Sequence, residues 1–304
     1  MIALRKRSLL LPVLALGLTL PTVPSAAQAR VTSSSSSVQS LYFSASMSGA
    51  NEVGTSGDPD GSARSLVEVT GDRVTFAFTW KGIGTPTMGH IHVGAAGVGG
   101  GVKVPLFGSA MPASTSGATG VVTVTDAALV ATITAHPSDF YLNLHTAEFP
   151  AGAVRGQLTP ARRKRAPLDL LKGLPLQTLM DGKQEVPAPG MTAVGDPDGQ
   201  GIAMIRASGH RIKYTIAWGG IGYPTAGHLH AGAKGTVGAH VVPLFTDTVP
   251  DNIYAVSGTV RTDKRLVTTI RHSPRAYYVN LHTAAFPDGA IRGQLYPAGH
   301  IGSD

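Results

Sequence analysis

The chain spells out one long pattern twice, and that duplication limits its fold more than any other feature. GDPDG occurs at Gly57–Gly61 and again at Gly195–Gly199. Trp80 returns as Trp218, and GIGTPTMGHIHVGAAG (Gly82–Gly97) returns as GIGYPTAGHLHAGAKG (Gly220–Gly235). Val104–Phe107 (VPLF), Tyr141–Ala147 (YLNLHTA) and Arg155–Leu158 (RGQL) recur as Val242–Phe245, Tyr278–Ala284 (YVNLHTA) and Arg292–Leu295. The spacing between these landmarks is almost constant, so a whole domain is duplicated rather than a short solenoid unit. The first copy spans 41–161 and the second 176–298, each of a size that can bury its own core.

Within each copy the apolar period is two. Val74, Phe76, Phe78 and Trp80 share one face of Arg73–Trp80, as Ile212, Tyr214, Ile216 and Trp218 do in Arg211–Trp218. Val121–Thr125, Leu129–Thr134, Val256–Val260 and Leu266–Ile270 read as further strands separated by turn residues. The 38 glycines and 21 prolines supply many turns. No stretch joins helical periodicity to a capping box. The pattern predicts an all-β protein of two tandem antiparallel β-sandwich domains, immunoglobulin-like with Greek-key connections. With no cysteine, both domains must be held by their cores alone.

Residues 1–29 read as a Sec-type signal peptide: Arg5-Lys6-Arg7, the apolar run 8–20, then Ala27-Gln28-Ala29 as a small-x-small site cleaved after Ala29. The apolar run is short for an uncleaved membrane anchor, and no later stretch is long enough to be a transmembrane segment. A Ser-rich flexible segment (30–40), a basic linker (162–175) and a tail (299–304) complete the chain. Arg162-Arg163-Lys164-Arg165 reads either as a solvated linker or as a processing site for a trypsin-like protease. Much of the net charge of +7 lies in the leader and the linker. Neither domain shows a basic stripe that would track phosphates, so no nucleic acid partner is expected.

Six of the eleven histidines occupy matching places. Each copy has an H-x-H pair (His90/His92; His228/His230) and a later histidine in N-x-H-T (His145; His282). Residues two apart on a strand share a side. His90 and His92 therefore face away from Ile91, and His145 lies with Tyr141 and Asn143 away from Leu142 and Leu144. If the two strands are neighbours, three imidazoles converge. Three neutral imidazoles suit Cu or Zn as cofactor, with Glu52 or Glu185 as candidate fourth ligands. Alternatively, the histidines bond to backbone or to Asn143 and Asn280 and serve only the sheet. His136, His210, His240, His272 and His300 have no counterpart and are expected at the surface.

Other motifs point to structure. The glycines of 94–101 lead toward a strand and not into a helix, so they are no phosphate loop. The two DPDG segments lack the later Glu of an EF-hand and read as tight turns. Arg155 and Arg292 are expected to pair with a carboxylate such as Glu52 or Glu185, or to present a fork to a ligand. No nucleophile elbow or pair of catalytic carboxylates is evident, so no catalytic residue is assigned.

The run G-H-I/L-H-x-G, then V-P-L-F, then Y-x-N-L-H-T-A-x-F-P-x-G-A-x-R-G-Q-L resembles the CHRD (chordin) domain, and does so in both copies. Glu185-Val186-Pro187 matches the family's opening segment, while Glu52-Val53 lacks the proline. Where the family often has Gly-Glu before its last Arg-Gly-Gln, this chain has Gly152-Ala153 and Gly289-Ala290. The resemblance implies an immunoglobulin-like sandwich used outside the cell, and it assigns no chemistry. Chordin's growth-factor partners do not carry over to a chain without its cysteine-rich modules.

Three functions compete. The first is a secreted, extracellular binding or structural module, with a protein or glycan partner and one His-lined metal site per domain. The second is a secreted copper or zinc metalloenzyme, since the H-x-H strand is similar to the copper site of Cu,Zn superoxide dismutase. This chain lacks that family's disulfide cysteines and zinc loop. In the third, the histidine face serves folding alone, and function lies in the linker or in tandem avidity.

Overall fold

The computed structural model describes residues 39–161, 167–170, 174–191 and 193–299. The expected signal peptide, nearly all of the Ser-rich segment, the Arg162–Arg165 run and the tail beyond Gly299 lie outside the described residues.

Each copy is a sandwich of two antiparallel sheets. The first contains β1 (Leu41–Ser48), β2 (Ser62–Thr70), β3 (Arg73–Lys81), β4 (Pro86–Val93), β5 (Val102–Phe107), β6 (Thr115–Thr123), β7 (Phe140–Thr146), β8 (Val154–Gln157) and β9 (Thr159–Pro160). One sheet runs β6-β3-β2-β1 and the other β5-β4-β7-β8. They meet at a corner where Ser48 opposes Arg155. The second copy repeats the plan with β10 (Leu176–Asp181), β11 (Gln200–Ser208), β12 (Arg211–Gly219), β13 (Pro224–Ala231), β14 (His240–Phe245), β15 (Ile253–Arg261), β16 (Tyr277–Thr283), β17 (Ile291–Gln294) and β18 (Tyr296–Pro297). The chain changes sheet between β3 and β4 and again between β5 and β6, which is Greek-key wiring rather than a run of hairpins.

The period of two explains the core. Val74, Phe76, Phe78, Ile91, Leu106, Leu142 and Leu144 are buried between the sheets of the first domain. Ile212, Tyr214, Ile216, Leu229, Leu244, Val279 and Leu281 fill the same places in the second. The DPDG segments are turns, as expected: Gly61 N–H donates to Asp58 O, and Gly199 N–H to Asp196 O, both at 3.2 Å.

Two expected strands are helices. Leu129–Thr134 lies in α1 (Ala127–Ala135), and Leu266–Ile270 lies in α2 (Lys264–His272). Each begins at an aspartate that caps it. Asp126 accepts from Leu129 N–H, and Asp263 accepts from the N–H groups of Arg265 and Leu266. The β-branched residues suggested strands, but only Ile133 of α1 is buried, and α2 buries Val267 and Ile270 one turn apart.

The two sandwiches share a sheet. β6 and β15, the free edges of matching sheets, pair antiparallel and join them into one surface of eight strands. Ala118 faces Val256, and these two residues hold matching places in the repeats. The contact is therefore isologous: the same patch is used twice about a local twofold. Its other bonds come in mates. Ser114 Oγ donates to Leu244 O at 2.6 Å, and Asn252 Nδ2 donates to Leu106 O at 3.3 Å. Thr259 N–H bonds Ser114 O, and Val121 N–H bonds Asn252 O. The short 3-10 turn Pro167–Leu170 rests against β2 and β3.

Candidate functional site

β4 and β7 are neighbours, so the condition for three converging imidazoles is met. His90 lies opposite Asn143, His92 opposite Tyr141, and Met88 opposite His145. The histidines are on the outer face of their sheet, as the alternation predicts, but loops cover that face. His92 is 8% exposed and His145 6%, while His90 is half-buried. One ring nitrogen from each of His90, His92 and His145 lies within 4.8 Å of the other two. The same holds for His228, His230 and His282 in the second domain.

Backbone carbonyls orient the rings. His92 Nδ1 is 2.9 Å from Gly100 O, and His145 Nδ1 is 3.0 Å from Pro150 O. His230 and His282 repeat this on Gly238 O and Pro287 O, each at 2.9 Å. A carbonyl only accepts, so Nδ1 carries the proton in all four rings and the neutral ring presents a bare Nε2 lone pair. In the second domain His230 Nε2, His282 Nε2 and His228 Nδ1 are buried with no hydrogen-bond partner. In the first, His92 Nε2 is likewise unpartnered, and His90 Nδ1 lies 3.1 Å from His145 Nε2. His145 Nε2 is the acceptor there, so His90 donates.

A stack that sequence reasoning missed holds each site together. Tyr141 lies parallel to His92 at 4.8 Å, and the Arg155 guanidinium sits 3.4 Å from the Tyr141 ring centre. Tyr278 stacks on His230 at 4.7 Å beneath Arg292 in the same way. Arg155 Nη2 donates to Ala95 O and Val98 O, which ties the glycine-rich loop 94–101 over the site. This corrects the expectation of a carboxylate partner. Glu52 feels the charge of Arg155, but the guanidinium bonds shown go to carbonyls. The sequence shows Y-x-N and R-G-Q repeated in both copies, and the structure puts them on adjacent strands with Asn143 opposite Arg155.

Glu52 and Glu185 are not among the clustered groups. Their Oε2 atoms accept from Asn143 and Asn280, at 3.3 and 3.4 Å. Burial, opposed by these bonds and the nearby arginines, pushes both carboxyls up to about 7. His136, His210 and His272 are exposed, as expected, and His300 lies outside the described residues. His240 is also exposed but is no bystander: its ring stacks on His228 at 5.0 Å. Nor are the basic residues of the second domain scattered. Arg206, Arg211, Lys213 and Arg261, with His210, line one open groove of about 640 Å³. They come from adjacent strands, so the linear sequence does not show the cluster.

Burial is the main force on the imidazoles. It pulls His90 down to about 4 with help from His145 and His92, and His228 to about 4 with help from His282, His230 and His240. His92, His145, His230 and His282 are also lowered, chiefly by burial. A histidine depressed in the fold contributes stability that is complete above its unfolded value near 6.5 and is lost as pH falls toward 4. The two raised glutamates act oppositely: their contribution is complete below 4.5 and is lost as pH rises through about 7. The two effects oppose one another between pH 4.5 and 6.5, so the histidine loss is read most cleanly in the metal-free Glu52→Gln/Glu185→Gln protein, whose Tm should fall as pH drops from 6.5 to 4. The metal-free parent should fall less over the same range, because its two glutamates gain stability as the histidines lose it. Thermal unfolding of both proteins checks this; a flat acid limb in the double variant would mean the rings are solvated.

These are tandem β-sandwich modules, each with a three-histidine cluster on a sheet face, buried more deeply in the first domain than in the second. The chain belongs to the CHRD domain family, whose pattern matches residues 43–158 and again 176–295. No curated protein and no solved structure matches the chain. No helix among the described residues is long and apolar enough to cross a membrane.

Proposed function

We propose that this chain is a secreted, extracellular binding module in which each CHRD domain holds one transition-metal ion. The ligands are His90, His92 and His145 in the first domain and His228, His230 and His282 in the second. The observation that carries this reading is the trio of buried, unpartnered ring nitrogens in the second domain, His228 Nδ1, His230 Nε2 and His282 Nε2. A buried polar atom without a partner is costly, and three of them aimed together are hard to explain by sheet chemistry alone.

The donor chemistry fits the group. Two nitrogens each about 2.0–2.1 Å from one ion lie roughly 2.9–3.3 Å apart, depending on geometry, and His90 Nδ1 and His145 Nε2 are 3.1 Å apart. The Nδ1–H bonds to carbonyls are the outer contacts that commonly fix metal-ligating histidines. Three neutral imidazoles suit Zn²⁺ or Cu²⁺. When bound, the ion would supply a Lewis-acid or redox centre; the chain's residues orient the rings and exclude water on the loop side. His90 and all three histidines of the second domain are only half-buried, which favours a second reading as a metalloenzyme.

The test is elemental analysis of untagged protein after dialysis against Cu²⁺ or Zn²⁺. About two equivalents per chain are expected, falling to about one in His92→Ala/His145→Ala and to none when His230→Ala/His282→Ala is added. Circular dichroism confirms that the variants remain folded. No retained metal in the parent would overturn the reading, as would equal retention in the folded quadruple variant. Redox assays on the copper-loaded protein separate the module from the enzyme.

A further inference from the structure

The two clusters are not equal, and the difference lies in one residue. We infer that His240 is a fourth nitrogen donor that completes the second-domain cluster and makes it a four-nitrogen site selective for Cu²⁺, while the first domain keeps three. This rests on the metal reading above.

The placement comes from register. His240 begins β14 and pairs with His230 on β13. The same position in the first domain is Val102, which begins β5 and pairs with His92. Both ladders shift register just before this pair, so the strand turns as it reaches the cluster. One copy therefore brings an imidazole to the mouth of the site where the other brings an isopropyl group, and Val102 is 48% exposed there.

Ring positions support the assignment. A ligated imidazole centre lies roughly 3.1–3.2 Å from its ion, so rings sharing one ion have centres about 4.5–6.3 Å apart. In the second domain His228 lies 5.8 Å from His230 and 5.0 Å from His282, and His230 lies 6.3 Å from His282. His240 joins at 5.0 Å from His228 and 6.1 Å from His230. These separations place His240 beside the cluster, in ring contact with His228 and His230. His240 is not in the set of nitrogens within 4.8 Å of one another, and it lies nearly parallel to His228. It must turn about its side-chain torsions to ligate. As an exposed side chain it can do so at little cost, unlike the loop-locked His230 and His282.

Four imidazoles in a tetragonal arrangement suit Cu²⁺, whereas three with an open position suit Zn²⁺ equally well. The mouth residue thus sets which ion each domain prefers.

The experiment uses the full chain loaded with Cu²⁺ at half to two equivalents, in the parent, His240→Val and Val102→His. Competition titration reads affinity, and electron paramagnetic resonance reads the nitrogen ligands. In the parent, the first equivalent should bind roughly tenfold or more tightly than the second, with four coupled nitrogens. His240→Val should abolish that difference and leave a three-nitrogen signal. Val102→His should bring the weaker class up toward the tighter one. If His240→Val leaves both affinity and spectrum unchanged while two ions still bind, the inference fails and the metal reading stands. If the parent binds no copper at all, both fail.

Discussion

Gly238→Val is expected to unfold the second histidine site and to lower Tm by roughly 6–12 °C, from a cost of about 3 kcal/mol or more. Gly238 has no room for a side chain: a Cβ there would lie 1.5 Å from Ala231 O. Backbone must shift, and this backbone has work to do. Gly238 O accepts from His230 Nδ1 and from Tyr278 Oη, and Gly238 N–H donates to the same hydroxyl. Displacing it frees His230 to rotate, breaks the stack with Tyr278 and leaves buried polar atoms unpaired. The second metal equivalent should be lost along with the stability. Gly100→Val should do the same to the first domain, where a Cβ would meet Val93 O at 1.8 Å. Gly99→Ala is the control, because nothing lies within 4 Å of its Cβ position. It should stay within about 0.5 kcal/mol of the parent. Thermal melts with metal analysis on all three variants decide the matter. A stable, metal-loaded Gly238→Val would show that the loop does not hold the ring.

The second domain made alone, from Leu174 to Gly299, is expected to form a homodimer. Cut free, it exposes β15 as an open edge, with the unpaired N–H and C=O groups that invite another strand. The edge is already shaped for a near copy of itself. In the intact chain it pairs with β6 about a local twofold, so Asn252 of one copy can reach Leu244 O of another as Ser114 does now. Sedimentation should report about twice the monomer mass. Gly258→Val should prevent this, because a Cβ there would meet Ser114 O at 2.3 Å and the Tyr214 hydroxyl at 2.5 Å in the present pairing. A stable monomer at high concentration would show that the edge does not pair with itself.

Much of this was legible in the sequence, for a physical reason. Strand alternation is a strict rule, so Ile91 between His90 and His92 fixed the core side and the histidine side together. Duplication made each motif its own control, and it singled out the six histidines. The same rule of matching says least about His240, whose counterpart is Val102: it is exposed, as expected, yet its ring stacks on His228. Helices α1 and α2 were missed because valines, isoleucines and threonines resemble strands when the capping aspartate has no glutamate three residues on. The roles of Arg155 and Arg292 and the basic groove depend on which strands are neighbours, and one sequence does not give that order. The β6–β15 ladder was equally hidden, since a strand carries no mark of its partner.

That ladder alters what the basic linker can do. A protease acting at Arg162–Arg165 would sever the chain between the domains, yet the domains would still be joined by a continuous sheet and its paired side-chain bonds. The cut would release nothing at once. It would instead turn an intramolecular contact into an intermolecular one, replacing an effective concentration on the order of millimolar with the actual concentration of the fragments. Association would then depend on dilution. At high concentration the halves would stay together, and on dilution they would come apart into separate modules with fresh sheet edges to offer.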